Sequence, residues 1–143
     1  MISKFKNIFM VVLIFVTAFA VTASKPFDII GLWEGKTADG EIIKLKFLKN
    51  NRTELYKSKS GRINGEIGAA MFWPTYKIDL STNPIQLDLV FADSDGNAAQ
   101  TQLCIVKFIG ENKIEIGFSK TFDKRATDFS SKEVGAIWSL ERK

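Results

Sequence analysis

The chain contains no histidine, one cysteine and only three prolines among its 143 residues. Without an imidazole, Ser-His-Asp and Cys-His catalysis, histidine-ligated zinc and a histidine general base are all excluded. A single cysteine, Cys104, cannot form an intramolecular disulfide, so the fold must be stabilised by packing. Its sequence neighbours are the apolar residues Leu103, Ile105 and Val106. We therefore expect Cys104 to be a small buried residue of a core strand rather than a reactive thiol.

The chain also lacks a block of like charges, although its formal net charge is +4. Basic and acidic residues alternate instead, as at Glu41 and Lys44 or at Lys113 and Glu115. Nucleic-acid binding requires a basic patch or stripe on one face. The sequence therefore argues against a nucleic-acid partner.

The first 23 residues have the three parts of a secretory signal peptide. Lys4 and Lys6 form a positive start, residues 8–20 form an apolar run, and small residues precede Ser24. A membrane anchor is the alternative, but the run is shorter than the roughly 20 apolar residues that a span needs. We expect cleavage after Ala23, or else after Ala20. The product is a secreted or periplasmic domain of residues 24–143, with no transmembrane segment and a formal charge of +2.

Apolar and polar side chains alternate with a period of two through most of this domain, as at Ile43, Leu45 and Phe47. Such alternation places one face of each strand on a core and the other in water. Turn-forming residues lie between the runs, for example at 49–51 and 93–97. The pattern predicts eight or nine strands, near residues 30–37, 41–48, 52–59, 62–70, 71–80, 85–92, 99–109, 112–119 and 133–142.

Short strands in this number favour an all-β domain that forms an antiparallel up-and-down barrel. Closure of the sheet removes the edges that would otherwise promote aggregation. A β-sandwich is the alternative. Residues 120–131 form the one long connection, and we expect them to fold over an end of the barrel.

A Gly-x-Trp sequence at residues 31–33 opens the first predicted strand, and Arg142 closes the last. In a lipocalin-type barrel, this tryptophan lies across the closed end, where a basic side chain of the final strand can stack on it. The alternative is a core tryptophan at an arbitrary place. The position of Trp33 at the start of an all-β domain favours the first interpretation.

Residues 76–89 resemble a segment of a family of small exported bacterial lipocalin-like domains, with the pattern Y-x-L-D-P-T-K-x-P-K-x-I-D-L. Residues 125–129 are similar to the family's R-P-x-x-F loop, with Ala126 in place of proline, and residues 138–142 to its terminal L-x-L-K-R. The resemblance extends over nearly the whole mature domain. It implies a lipocalin-like barrel but little chemistry, because the function of that family is largely unknown.

The sequence favours a binding protein over an enzyme. An eight-stranded barrel can hold one small ligand against its inward side chains, and we expect that ligand to be apolar or amphipathic. The residues predicted to contact it are Leu45, Phe47, Phe72, Trp73, Leu87, Leu89, Phe108 and Ile116. The alternative is a protein-interaction or inhibitor module that binds an envelope protein through loops near Trp73 and residues 120–131.

Two polar motifs have simpler interpretations than a metal or catalytic site. Residues 93–97 imitate the start of a calcium loop, but its twelfth position is Cys104 rather than the required glutamate. Asp79 and Asp88 flank a turn at 83–84, and we expect capping or turn roles for them rather than an acid–base pair. The sequence thus predicts no catalytic residue, no metal site and no cofactor.

Overall fold

The computed structural model describes residues 26–58, 61–62, 72–92 and 95–143. These residues contain nine β-strands and no helix: β1 (Gly31–Lys36), β2 (Ile42–Phe47), β3 (Thr53–Lys57), β4 (Gly61–Arg62), β5 (Phe72–Asp79), β6 (Ile85–Ala92), β7 (Ala98–Ile109), β8 (Lys113–Ser119) and β9 (Val134–Arg142). The all-β prediction is confirmed. The predicted signal peptide, most of the fourth predicted strand and the first two residues of the calcium-like motif lie outside the described residues.

All nine strands belong to one antiparallel sheet, in the order β4-β3-β2-β1-β9-β8-β7-β6-β5. Strands that follow each other in the chain are neighbours except β4 and β5, and the last strand pairs with the first. On the opposite side, Arg52 just before β3 forms a bridge with Thr75 of β5. The sheet is therefore a nearly closed up-and-down barrel. This confirms the predicted barrel and rejects the β-sandwich.

The pairing of β1 with β9 depends on a very close approach of the two strands at Gly35. A Cβ atom there would collide with the carbonyl oxygen of Ser139. Real Cβ atoms do not approach backbone oxygen so closely, so only glycine allows β9 to pack on β1 at this point.

Alternate residues of the strands point into the barrel and form one core. Each large apolar side chain buried there contributes about 1.5–3 kcal/mol relative to an exposed one. The buried members are Ile29, Trp33, Leu45, Phe47, Tyr76, Leu87, Leu89, Cys104, Val106, Ile114, Ile116 and Leu140.

We call the end of the barrel where β1 begins and β9 ends the proximal end. Trp33 lies there, fully buried, and its Nε1 donates a hydrogen bond to the Ile29 carbonyl at 2.7 Å. The guanidinium carbon of Arg142 lies 4.2 Å from the centroid of the Trp33 ring. Arg142 also donates to the carbonyl oxygens of Ile30, at 2.7 Å, and Asp28, at 2.6 Å. The predicted stacking of the last strand's basic residue on Trp33 is confirmed.

Residues 26–30 cross the proximal end and add aromatic contacts to it. Phe27 stacks on Phe108, with ring centroids 4.7 Å apart. Phe47 packs against Tyr76 edge to face, with centroids 5.0 Å apart, and the Tyr76 hydroxyl donates to the Leu48 carbonyl at 3.0 Å. Burial, assisted by the negative charge of Asp28, raises the pKa of Tyr76. Side chains and main chain therefore cover this end of the barrel.

The long connection between β8 and β9 lies along the outer wall rather than over an end of the barrel, which corrects the expectation from the sequence. Ile105 points outward from β7 and is nevertheless fully buried. A Cβ atom on the neighbouring Gly117 would lie 3.3 Å from the Phe129 ring. Because Gly117 has no side chain, the Phe129 ring can approach the wall closely beside Ile105.

Arg125 attaches the same connection to the barrel. Its guanidinium donates hydrogen bonds to the Leu87 carbonyl at 3.2 Å and to the Cys104 carbonyl at 2.6 Å, and it forms an ion pair with Asp88. The prediction of a capping or turn role for Asp88 is therefore wrong, since this carboxylate lies within β6 and binds a cation. Three residues of the segment 125–129 contact the barrel wall: Arg125 and Phe129 at its ends, and Ala126, whose main-chain nitrogen donates to the Ser119 hydroxyl of β8 at 2.9 Å.

Asp79 has the predicted turn role. Its carboxylate accepts hydrogen bonds from the main-chain nitrogen of Ser81 at 2.9 Å and from the Ser81 hydroxyl at 2.5 Å. These bonds lower the pKa of Asp79, with the hydroxyl as the main cause. The carboxylate stabilises the turn between β5 and β6 and is exposed to solvent.

Candidate functional site

The inward side chains of β9 become more exposed with distance from the proximal end. Leu140 is 1% exposed, Trp138 is partly buried and Ala136 is exposed. Register places all three on the inner face, because Leu140 pairs with Ile114 and Trp138 with Ile116 of β8. The barrel is therefore packed at the proximal end and accessible to solvent along β9 at the other.

We call the inward residues of β6–β9 on the accessible side the distal wall. Its aromatic centre is Phe118 and Trp138, whose ring centroids lie 4.5 Å apart at an interplanar angle of 58°. Across the barrel, Ile43 of β2 is fully buried, so the accessible surface belongs to the side formed by β6–β9. The distal wall consists of Leu89, Phe91, Gln100, Gln102, Phe118, Ala136 and Trp138.

The residues predicted to contact a ligand fall into three groups. Leu45, Phe47, Leu87 and Ile116 are at most 2% exposed and pack together in the core. Leu89 is buried in the same core and forms the inner edge of the distal wall, and Phe108 is partly buried at the proximal end against Phe27. The side chains of Phe72 and Trp73 in β5 lie outside the described residues. The structure thus brings the first four and Leu89 together in the core, while a ligand-binding role for any of the eight stays a prediction.

Sequence reasoning did not select most of the distal wall. Phe91, Phe118 and Trp138 continue the alternation that identified the inward rows, so the signal was present in the sequence. Alternation did not reveal how deep these residues lie in the barrel. Their depth follows from the strand register, which gives the distance of each residue from Trp33.

Gln102 places a polar group in the distal wall. It faces inward because it pairs with Leu89 and lies two residues before the buried Cys104. Its side-chain nitrogen donates to the main-chain carbonyls of Ser119, at 3.0 Å, and Leu103, at 3.3 Å. An apolar surface with a few fixed polar groups is typical of small-molecule sites. The described residues contain no group of three carboxylate or thiol side chains that could hold a metal ion.

Among the open hollows that the described residues form, two have aromatic side chains in their lining. One, of about 480 Å³, lies at the proximal end beside Phe27, Glu111 and Arg142. The other, of about 330 Å³, lies between Pro84, Phe108 and Phe129, beside the long connection. Neither contains a residue of the distal wall.

Cys104 is fully buried in the core, and burial raises the pKa of its thiol to about 12. The positive charge of Arg125 opposes this shift, and Asp88 adds to it. We therefore expect the native protein to react with a maleimide far more slowly at pH 8 than the protein unfolded in urea, because the thiolate is the reacting form. Mass spectrometry of timed samples measures both rates. Equal rates in the native and the unfolded protein would contradict the buried position of Cys104.

Comparisons with protein-family models, with curated proteins and with solved structures found no match to this chain. No helix of sufficient length and apolar character to cross a membrane occurs in the described part of the chain. The fold therefore defines the class as an antiparallel up-and-down barrel, and the function must be argued from the distal wall.

Proposed function

We propose that this protein is an exported lipocalin-like binding protein that takes up a small apolar or amphipathic ligand at the distal wall. The observation that supports this most is the exposure of Ala136, a residue that register places on the inner face of the barrel. An inward alanine that contacts solvent leaves space in front of the half-buried rings of Phe118 and Trp138.

Burial of these rings by a ligand would contribute the free energy of binding. Removing apolar surface from water is worth roughly 25 cal/mol per Å². The core below does not need to move, because Leu87 and Leu140 are already fully packed. A ligand would therefore enter from the distal side and stop above these two residues.

Secretion or a periplasmic location is part of the proposal and rests on the signal-like pattern of residues 1–23. We expect protein isolated from the extracytoplasmic fraction to begin at Ser24, because residues 21–23 offer the small side chains that the cleavage site requires. N-terminal sequencing and intact mass measure this directly. Recovery of the protein with Met1 still present on most molecules would contradict it.

Replacing Ala136 with tryptophan should abolish ligand binding and leave the melting temperature nearly unchanged, since the new ring occupies accessible space. Isothermal titration calorimetry with decanol and decanoate measures binding, and a thermal melt measures stability. Ile137→Trp is the matched control: it introduces the same side chain on the outer face, where Ile137 is 48% exposed, and should bind as the wild type does. Unchanged binding by Ala136→Trp would refute the location of the site.

A protein-interaction or inhibitor module is the second candidate. The complete burial of Leu45, Phe47, Leu87 and Ile116 favours it, because a barrel filled by its own side chains needs no ligand. The apolar hollow between Phe108 and Phe129 offers a surface for a protein partner. If the wild type binds no amphiphile in the titrations above, this function replaces the first.

A further inference from the structure

The Gln102 side chain limits which head group a ligand at the distal wall can carry; this inference rests on the proposed function. A primary amide has two N–H donors and one carbonyl acceptor. The Gln102 side chain makes two hydrogen bonds, and the acceptors are the main-chain carbonyls of Leu103 and Ser119. Only the nitrogen can donate to them, so the orientation of the amide is determined by its partners.

The remaining polar atom of this side chain is Oε1, and it accepts no hydrogen bond from the residues that the structure describes. Gln102 is partly buried and faces inward between the apolar side chains of β6 and β8, including Leu89 and Phe118. A carbonyl oxygen in apolar surroundings that loses water on ligand binding must regain a donor, or binding is weakened.

We propose that the ligand is an amphiphile whose neutral head group donates a hydrogen bond to Oε1 of Gln102, as a hydroxyl does. A carboxylate has only acceptor oxygens at neutral pH. Its negative charge would be repelled by the partial negative charge of Oε1. An ether has no donor and would leave Oε1 without a partner. Aliphatic alcohols are therefore the matching class, and the corresponding acids and ethers are not.

Calorimetric titration of the wild type with decanol, 1-methoxydecane and decanoate at pH 7.5 tests this head-group preference. We expect decanol to bind about tenfold more tightly than 1-methoxydecane, the gain from one hydrogen bond. The ether is the more hydrophobic molecule, so apolar burial alone predicts the opposite order. Decanoate should also bind more weakly than decanol.

The variant Gln102→Leu should remove the preference for decanol over the ether, while Thr101→Val on the outward row should retain it. A thermal melt checks that the Gln102→Leu protein is folded. The comparison of the three probes on the wild-type protein does not depend on this variant. Ether binding as tight as decanol binding, or tighter, would overturn the head-group inference and leave the proposed function standing. Preference for decanoate would overturn it as well, because a carboxylate cannot donate a hydrogen bond to Oε1. Absence of binding by all three probes would overturn the proposed function itself.

Discussion

Replacement of Trp33 by alanine is expected to destabilise the protein by about 3–5 kcal/mol, the cost of losing a large aromatic side chain from a packed core. Trp33 is 0% exposed, and its ring contacts both the core and the guanidinium of Arg142. The substitution also leaves the Ile29 carbonyl without its indole donor. Urea denaturation followed by circular dichroism measures the change in the free energy of unfolding.

Trp33→Phe is the matched control for this prediction. It keeps an aromatic ring beneath Arg142 but removes the N–H group and part of the volume, so the loss should be smaller than for alanine. A Trp33→Ala protein as stable as the wild type would show that the proximal end is not organised around this residue.

Arg125→Ala should cost about 1.5–3 kcal/mol, because hydrogen bonds that involve a charged group contribute in this range. Removal of the guanidinium leaves the Leu87 and Cys104 carbonyls without these donors and Asp88 without its ion pair. The connection at residues 120–133 should then detach from the wall and expose Ile105. Denaturant unfolding gives the stability, and hydrogen exchange of the amides in this connection reports its detachment.

Lys124→Ala is the control for Arg125→Ala because it removes a cation from the adjacent position. Lys124 pairs with Glu133 at 2.6 Å, but its side chain is 65% exposed. Exposed ion pairs contribute little to stability, so this variant should unfold as the wild type does. Equal effects of the two substitutions would mean that Arg125 does not anchor the connection.

The strands of this barrel were predictable because its sequence alternates with a period of two and places turn residues between the runs. The stacking of Arg142 on Trp33 was predictable from the likeness of the Gly-x-Trp sequence and the terminal arginine to those of lipocalin-type barrels. The course of residues 120–133 was not, since Gly117 and Ile105 look like ordinary strand residues. The continuous apolar run at residues 103–106 did indicate that something covers the outer face of β7, because burial on both faces of a strand interrupts alternation.

The candidate site was predictable only in part. Alternation identifies which side chains face inward, and it correctly placed Leu87 and Leu89 on one face of β6. Alternation does not show how deep each side chain lies. Leu87 is fully buried in the core, whereas Phe118 and Trp138 are only partly buried. Depth depends on the register of strands that are far apart in the sequence, and that register becomes visible only when the barrel is closed.

A ligand that occupies the distal wall is expected to leave the proximal core unchanged. NMR of the methyl-labelled protein titrated with decanol tests it most directly. We predict intermolecular nuclear Overhauser effects from decanol to the Ala136 methyl and the Trp138 indole, with the Leu87 and Leu140 methyl signals unmoved. Contacts from decanol to Leu87 and Leu140, or contacts confined to the outer face at Ile137, would contradict it.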